Sequence, residues 1–400
     1  MSVTRRSFFA RAGAIATAQG LALKGQQTPQ TQQTPPAKRA DPRQGTADAA
    51  KYFQYFDRRS KVSLIKGENR RKNIYDALVA IDDQIRPALK AKKYVFLKPN
   101  GIQSAERLLG CTQPDAVRGI LDYLAPRFKG PVVFGDTGMV PAKECFTKYG
   151  WDKVFAEYKS MDFKFEIPNE EQSHWGLVHG IDYDMHVIPI RLGARFVDPD
   201  AFVISAAILK THNFVVATMA VKNIVVASAL SPPPGTAPPP GQPAWMNAAS
   251  EKRKFHVGVR AGNYNMYMAT QRMLPANWGI GVVDGFEGME GNGPSSGTPV
   301  EHRIALASTD FLAVDRVGLE CMGIDASWPG YLNYAYQGGL GQYDLAKIDV
   351  VGAKIADVQR KYRLNADVDR MLEWRGPMLD LPPNLGYNRR PLVEDLSAYA

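Results

Sequence analysis

The run Phe202-Val-Ile-Ser-Ala-Ala-Ile-Leu209 is the most apolar stretch of the 400-residue chain. Apolar residues follow one another in it without a regular alternation of polar ones, which is typical of a strand buried on both faces. Strands of this kind lie in parallel sheets that helices cover on both sides. The run therefore predicts the central strand of such a sheet.

Shorter apolar runs before and after this stretch predict further strands, at residues 93–97, 132–134, 280–283, 304–307 and 348–351, and an alternating pattern predicts another at residues 185–190. Between them, apolar residues at helical spacing predict helices at residues 113–128 and 309–322. This alternation predicts an α/β fold with a mainly parallel sheet and helices on both faces. We assign it to a single large domain at residues 48–352.

Two segments interrupt or follow this alternation. Residues 231–260 begin with a run of prolines and glycines, which is too rigid and extended for a helix or a sheet and predicts a loop inserted into the domain. Residues 353–400 predict a short helix followed by a Pro-rich tail.

The net charge is concentrated near the N-terminus. The chain has 49 basic and 40 acidic residues, a formal net charge of +9. Residues 1–44 contain 7 basic residues and 1 acidic residue, so they carry +6 of this charge and the remaining chain carries +3. The remaining chain also lacks a basic stripe with interleaved aromatic residues, so we expect no nucleic-acid partner.

The N-terminal segment indicates export. Arg5-Arg6 is followed by Phe8-Phe9 and a weakly apolar run of Ala and Gly, so residues 1–25 resemble a twin-arginine signal. Residues 26–47 are rich in Gln, Thr and Pro and predict a flexible linker. We therefore expect the twin-arginine translocation machinery as a partner and the periplasm as the location. No other stretch reaches the length of an apolar membrane span, so no transmembrane segment is expected in the mature chain.

Polar groups follow several predicted strands where the apolar run stops. Lys98 and Asn100 follow one strand, Asp136 the next, and Asp284 and Glu287 a later one. Ligands of open parallel sheets bind at the carboxyl ends of the strands. We expect Lys98 and Asn100 to bind a ligand. Asp136, Asp284 and Glu287 would bind a divalent metal ion, or the aspartates would orient basic groups.

The central strand is followed by Lys210 and His212, which share a face if the strand continues. Lys222 and Asn223 interrupt a second apolar run. A buried ammonium needs an anion, from the protein or from a ligand, and burial suits a lysine to act as a base. Lys210, His212 and Lys222 are therefore the candidate catalytic residues and Asn223 a candidate ligand-binding residue. A structural pair between Lys222 and an aspartate is the alternative.

A glycine-rich segment at residues 285–297 could bring backbone N–H groups close to an anion. It matches neither a P-loop nor a dinucleotide-binding fingerprint. We expect Gly291, Gly293 and Gly297 to contribute to ligand binding.

Several motifs occur in a fixed order along the chain: Phe96-Leu-Lys-Pro-Asn100, Phe134-Gly-Asp-Thr-Gly138, Ile208-Leu-Lys-Thr-His212, Val221-Lys-Asn223 and Gly291-Asn-Gly-Pro-Ser-Ser-Gly297. With this series of motifs, the chain resembles the family called DUF362. The resemblance implies an α/β fold but no reaction. It also implies that His256 matches a histidine often found downstream of the Lys-Asn pair. Many relatives carry ferredoxin-like cysteine motifs. Cys111, Cys145 and Cys321 are far apart here, so an iron–sulfur cluster is not expected.

Two functions remain open at this stage. The first is an exported enzyme that acts on a small anionic substrate, a carboxylate or a phosphate, with or without a divalent metal. The second is a non-catalytic periplasmic protein that binds a metal, a cofactor or a small anion, since the sequence contains no recognised nucleophile or redox motif.

Overall fold

The computed structural model describes residues 58–102, 108–137, 146–168, 170, 172–233, 236–237, 240, 249–274 and 279–375. The predicted export signal, the predicted linker and residues 376–400 of the predicted tail lie outside these residues. Across the described part of the chain, no helix combines the length and the apolar character needed to cross a membrane.

The strands of the described residues are β1 (Ser60–Lys66), β2 (Tyr94–Lys98), β3 (Val132–Gly135), β4 (Phe163–Glu166), β5 (Trp175–Ile181), β6 (Val187–Gly193), β7 (Ala201–His212), β8 (Val216–Thr218), β9 (Gly279–Glu290), β10 (Thr298–Ser308) and β11 (Ile348–Gly352). Strand β7 contains the apolar run and is buried along its whole length.

The helices are α1 (Arg70–Val79), α2 (Asp82–Lys90), α3 (Pro114–Leu124), α4 (Trp151–Glu157), α5 (Ala220–Val225), α6 (Val259–Met273), α7 (Phe311–Met322), α8 (Gly330–Gln337), α9 (Ile355–Val358) and α10 (Val368–Met371). Asp310 is the N-cap of α7, and its carboxylate accepts hydrogen bonds from the backbone N–H groups of Leu312 and Ala313.

The large sheet has the strand order β11-β1-β10-β9-β7-β2-β3-β4, and β8 pairs with β7 beside this path. Among the described residues, five of its strand pairs are parallel. Three are antiparallel: β1 with β10, β10 with β9, and β7 with β8. Strands β5 and β6 form a separate antiparallel pair. The sheet is therefore mainly parallel, as predicted.

Helices cover both faces of this sheet. Phe202 and Ile204 of β7 pack in a core with α1 to α4, whereas Val203 and Leu209 pack in a second core with α5 to α8. Neighbouring residues of a strand point to opposite faces, so an uninterrupted apolar run supplies both cores at once. The predicted α/β class and the helices on both faces are confirmed.

Two strands are longer than their apolar runs. Strand β7 continues through Lys210 to His212 because it pairs there with β8, and β9 continues through Asp284 to Glu290 because it pairs with β10. The prediction that these strands end at Leu209 and at Val283 is wrong. Backbone pairing in an antiparallel hairpin extends the strands beyond the residues that apolar character alone would select.

The chain leaves the neighbouring strands β2 and β7 in opposite directions. From β2 it continues through α3 to β3 on one side, and from β7 it continues through α6 to β9 on the other. In open α/β sheets such a switch point opens a crevice at the carboxyl ends of the two strands. Lys98, the last residue of β2, pairs in register with Ser205 of β7. Strand β7 continues to His212, so its carboxyl end extends past that of β2 at this crevice.

Candidate functional site

A cavity of about 90 Å³ lies at this switch point, between the carboxyl ends of β2, β3 and β7 and helix α5. The structure brings six of the predicted residues to its wall: Lys98, Asn100, Lys210, His212, Lys222 and Asn223. Asp136, one of the predicted metal ligands, also lines it. The volume is enough for several water molecules or one small anion.

Lys98 and Asn223 connect strand β2 to helix α5. Lys98 Nζ donates a hydrogen bond to Asn223 Oδ1 at 2.9 Å and lies 3.1 Å from Asp136 Oδ1. The Nδ2 group of Asn223 donates to Ser205 Oγ at 3.1 Å. Burial lowers the pKa of Lys98, and the charge of Asp136 opposes this shift. A Cβ added at Gly101 would collide with Oδ2 of Asp136, so the close approach of this carboxylate requires a glycine.

Lys210 projects from the end of β7 toward the loop that follows β2. Its Nζ donates hydrogen bonds to the backbone oxygen of Gly110 at 2.8 Å and to Asn100 Oδ1 at 3.3 Å. The side chain is 1% exposed. Burial lowers its pKa from 10.5 to about 7, so both protonation states are populated near neutral pH.

His212 and Lys222 form a buried pair on the same wall. His212 Nε2 lies 3.0 Å from Lys222 Nζ, and His212 Nδ1 accepts a hydrogen bond from the backbone N–H of Phe214 at 3.0 Å. Burial holds the pKa of Lys222 well below its ordinary value, and the charges of Lys210 and Lys252 add to this shift. Burial likewise lowers the pKa of His212. The predicted pairing of Lys222 with an aspartate is not found within the described residues, where its neighbour is His212.

Helix α5 is held in place by a carboxylate from α7. Asp315 accepts hydrogen bonds from the backbone N–H groups of Ala220 at 2.8 Å and Val221 at 3.0 Å, which are among the first N–H groups of the helix. Ser205 of β7 donates to the backbone oxygen of Ala220 at 2.8 Å. These contacts fix the start of the short helix that carries Lys222 and Asn223.

Lys252 also lines the cavity, although no sequence pattern predicts it there. It lies in a 3₁₀ helix, Glu251–Phe255, inside the segment predicted as an inserted loop. Glu251 is buried and accepts hydrogen bonds from Arg191 and Lys254, which anchors this turn. Burial lowers the pKa of Lys252 to about 8. Residues 251–254 are four consecutive charged residues, a pattern typical of a solvated loop. The sequence therefore gives no sign that Lys252 lines a cavity.

His256 reaches the same wall from the end of this turn. Its Nδ1 lies 3.0 Å from the backbone oxygen of Lys252, and burial lowers its pKa to about 3. The resemblance to the family was the signal that pointed to this residue.

The wall carries more basic groups than acidic groups. Four lysines line the cavity, and Asp136 is the acidic residue among the described residues that line it. Buried charges of one sign repel one another and are costly without a counter-ion. An anion in the cavity would supply that counter-ion. The arrangement therefore suits binding of a small anion.

Asp284 and Glu287 do not share this wall with Asp136. They lie within β9, and Asp284 Oδ2 is 3.1 Å from the guanidinium Nε of Arg70. Burial raises the pKa of Asp284, and Arg70 opposes this shift. The three predicted metal ligands are therefore not brought together, because β9 continues past the point where the sequence analysis placed its carboxyl end.

The predicted glycine cluster forms the turn between β9 and β10 rather than an anion cradle. The N–H of Gly291 donates to the backbone oxygen of Arg363 at 2.7 Å, and that of Gly293 donates to the backbone oxygen of Gly291 at 2.8 Å. A Cβ at Gly293 would collide with the backbone oxygen of Thr211. Pro294 lines the cavity, whereas Gly291, Gly293 and Gly297 are not among its lining residues. Gly293 therefore allows the turn to pack closely on the end of β7.

Within the described residues, one group of three potential metal ligands has its ligand atoms within 4.8 Å of one another: Asp182, Asp184 and His186. It lies on the exposed turn between β5 and β6. The carboxylate of Asp182 accepts hydrogen bonds from the backbone N–H groups of the other two residues, so it stabilises this turn.

A known family model covers the residues of this site. The model described as "Domain of unknown function (DUF362)" matches residues 95–320, which is more than half of the chain and includes β7, α5 and the residues that line the cavity. No curated protein and no solved structure matches the chain significantly. By this match, the chain belongs to the DUF362 family.

Proposed function

We propose that this protein is an exported enzyme that binds a small anionic substrate, a carboxylate or a phosphate, in the cavity at the switch point. The observation that carries the proposal is the set of four lysines around one cavity of about 90 Å³ with Asp136 as the acidic residue on the described wall. Two of them, Lys210 and Lys252, have pKa values of about 7 and about 8, so a bound anion can draw them into the charged form.

The proposed roles follow the contacts. Lys210 and Lys252 hold the anion, because neither has a carboxylate at ion-pair distance within the described residues. Lys98, Asn223 and Asp136 form the supporting network beneath it. His212, which contacts Lys222, supplies a group that exchanges protons with the substrate.

Binding is tested by isothermal titration calorimetry with phosphate, sulfate and small carboxylates, on the full chain and on Lys210→Ala. We expect the variant to weaken anion binding about tenfold or more, because it removes a charge-assisted hydrogen bond. Lys90→Ala is the matched control, since Lys90 is exposed at the end of α2. Equal affinity in Lys210→Ala and the parent protein would contradict this site.

Turnover separates the two functions that the sequence left open. Mass spectrometry of the mixture shows whether a bound carboxylate or phosphate ester is consumed. Consumption would support the proposal that the protein is an enzyme. Tight binding with no conversion of any bound compound would support the non-catalytic binding protein instead. Repeating both measurements with a chelator tests the contribution of a divalent metal.

A further inference from the structure

His212 and Lys222 lie at hydrogen-bond distance, and the contacts around them assign their protons. The backbone N–H of Phe214 donates to His212 Nδ1 at 3.0 Å, so this nitrogen is the acceptor and the proton of the neutral imidazole is on Nε2. Nε2 lies 3.0 Å from Lys222 Nζ. An ammonium has three donors and no acceptor, whereas a neutral amine accepts through its lone pair. The hydrogen bond therefore runs from His212 to Lys222, and Lys222 is a neutral amine.

The surroundings of Lys222 favour the same state. Its side chain is buried, and Lys210, Lys252 and Lys98 place further positive charges around it. Asp136, the carboxylate of the wall, lies at ion-pair distance from Lys98. A lysine that is desolvated and surrounded by cations is a nucleophile near neutral pH, whereas an ordinary exposed lysine is protonated there.

The cavity also restricts what this amine can meet. Lys210 and Lys252 are placed to hold a carboxylate, and the remaining wall includes the apolar side chains of Ile102, Val226 and Ala227. A volume of about 90 Å³ admits a molecule with few non-hydrogen atoms. A carboxylate with a carbonyl group on the next carbon matches these features. Its negative charge would pair with Lys210 and Lys252, and its carbonyl carbon would lie next to the amine of Lys222.

We propose that Lys222 is the nucleophile of this site and that its substrates are small 2-oxo acids, with which it forms an imine. This inference rests on the proposed anion-binding function and names its substrate class. The lone pair of the Lys222 amine leaves its hydrogen bond with His212 Nε2 and bonds to the carbonyl carbon, and the carbon–oxygen double bond is broken. The carbonyl oxygen leaves as water with the two hydrogens of the amine, so the step needs no oxidant or reductant.

Reductive trapping tests this step on the full chain. The protein is incubated with glyoxylate, the smallest acid of this class, and sodium cyanoborohydride, which reduces an imine to a stable carboxymethyl-lysine. Peptide mass spectrometry then measures the rate of labelling at each lysine. We expect Lys222 to be labelled roughly a hundredfold faster than exposed Lys90, because an ordinary lysine is a neutral amine in fewer than about one molecule in a thousand near neutral pH.

Two controls define the site. Acetaldehyde has the carbonyl but no carboxylate, so it should label Lys222 with much less preference over Lys90. Lys222→Arg keeps a basic side chain but replaces the amine with a guanidinium, which stays protonated. In this variant the fast labelling should disappear, and no other lysine should become fast. Labelling of Lys222 at the rate of Lys90, or fast labelling of Lys210 or Lys252 in its place, would overturn the proposal.

Measuring phosphate binding on the same samples tests the anion site separately from the imine at Lys222. Phosphate that binds in the cavity should slow the labelling of Lys222 in proportion to its occupancy. If phosphate binds and Lys222 is not labelled preferentially, the imine is wrong and the anion site stands. If Lys222 is labelled preferentially and no anion binds, the nucleophile stands and the proposed anion site is wrong. If neither occurs, both are wrong.

Discussion

At the scale of single residues, burial changes the chemistry of lysine in this cavity. A lysine on the surface is a permanent cation near neutral pH, whereas Lys210, with a pKa of about 7, changes its charge there. An anion that binds next to it favours the protonated form. Binding of an anion and uptake of a proton are therefore linked at Lys210, and the linkage has a definite sign.

We expect the affinity for sulfate to fall as the pH rises through about 7, roughly tenfold for each further pH unit while Lys210 is the group that must take up a proton. Sulfate is the suitable anion because its own charge does not change in this range. Isothermal titration calorimetry across the range measures the effect. In Lys210→Ala this part of the pH dependence should be lost. An affinity that stays constant or rises with pH would contradict the linkage.

The sequence identified most of the polar residues on the cavity wall but not their partners. Lys98, Lys210 and His212 were recognisable because each interrupts or follows an apolar run. Lys252 was missed because its neighbours are charged, and its burial depends on the pairing of Glu251 with Arg191 from a distant part of the chain. Such tertiary pairing leaves no periodic signal in the sequence.

At the scale of secondary-structure elements, the short helix α5 depends on a contact from another helix. It has six residues, too few to be stable alone, and Asp315 of α7 accepts hydrogen bonds from two of its first N–H groups. The pKa of Asp315 is raised to about 7 by burial, which the two N–H groups oppose. The position of Lys222 therefore depends on a carboxylate that does not line the cavity.

Asp315→Ala should lower the free energy of unfolding by about 2 kcal/mol or more, because it leaves two buried N–H groups without an acceptor. Urea denaturation measures this change, and calorimetry with phosphate should show weaker binding in the same variant. Asp349→Ala is the control, since Asp349 pairs with Arg59 on the surface, and we expect a change within about 0.5 kcal/mol. A fully stable Asp315→Ala protein with unchanged binding would contradict the role of this contact.

The fold class could be predicted from its strands, whereas the ends of two strands could not. The apolar run of β7 and the shorter runs of β2 and β3 were enough to predict the parallel part of the sheet. The antiparallel part was harder, because β9 and β10 extend through residues such as Glu287 and Glu301 that face each other in the ladder. Their strand conformation comes from backbone pairing with a partner, and a single sequence does not show which partner a segment meets.

At the scale of the whole molecule, the basic character divides into two parts with different meanings. The charge of residues 1–44 belongs to the predicted export signal and linker, which lie outside the described residues. In the folded domain, the notable positive charges are the lysines that line one cavity. The net charge of the chain therefore says little about its ligand, whereas the position of a few lysines says much more.

The proposed export by the twin-arginine route predicts that replacing Arg5 and Arg6 with lysine keeps the protein in the cytoplasm. This route recognises the arginine pair itself, so a change that preserves charge should still block it. Cell fractionation followed by immunoblotting of the periplasmic and cytoplasmic fractions measures the outcome. Arg11→Lys is the control, because Arg11 lies outside the pair. An unchanged periplasmic amount in the double variant would exclude this route.

Strand β7 is buried along its whole length and contributes to the cores on both faces. Its amide hydrogens exchange with solvent when its backbone hydrogen bonds to β2, β8 and β9 break, and in a buried central strand such opening is close to global unfolding. Lys210 and His212 thus lie on a segment with the slow exchange expected of the most protected unit of a domain. Local fluctuations that open loops leave their backbone in place, so the part of the cavity wall that β7 supplies keeps its geometry while the domain stays folded.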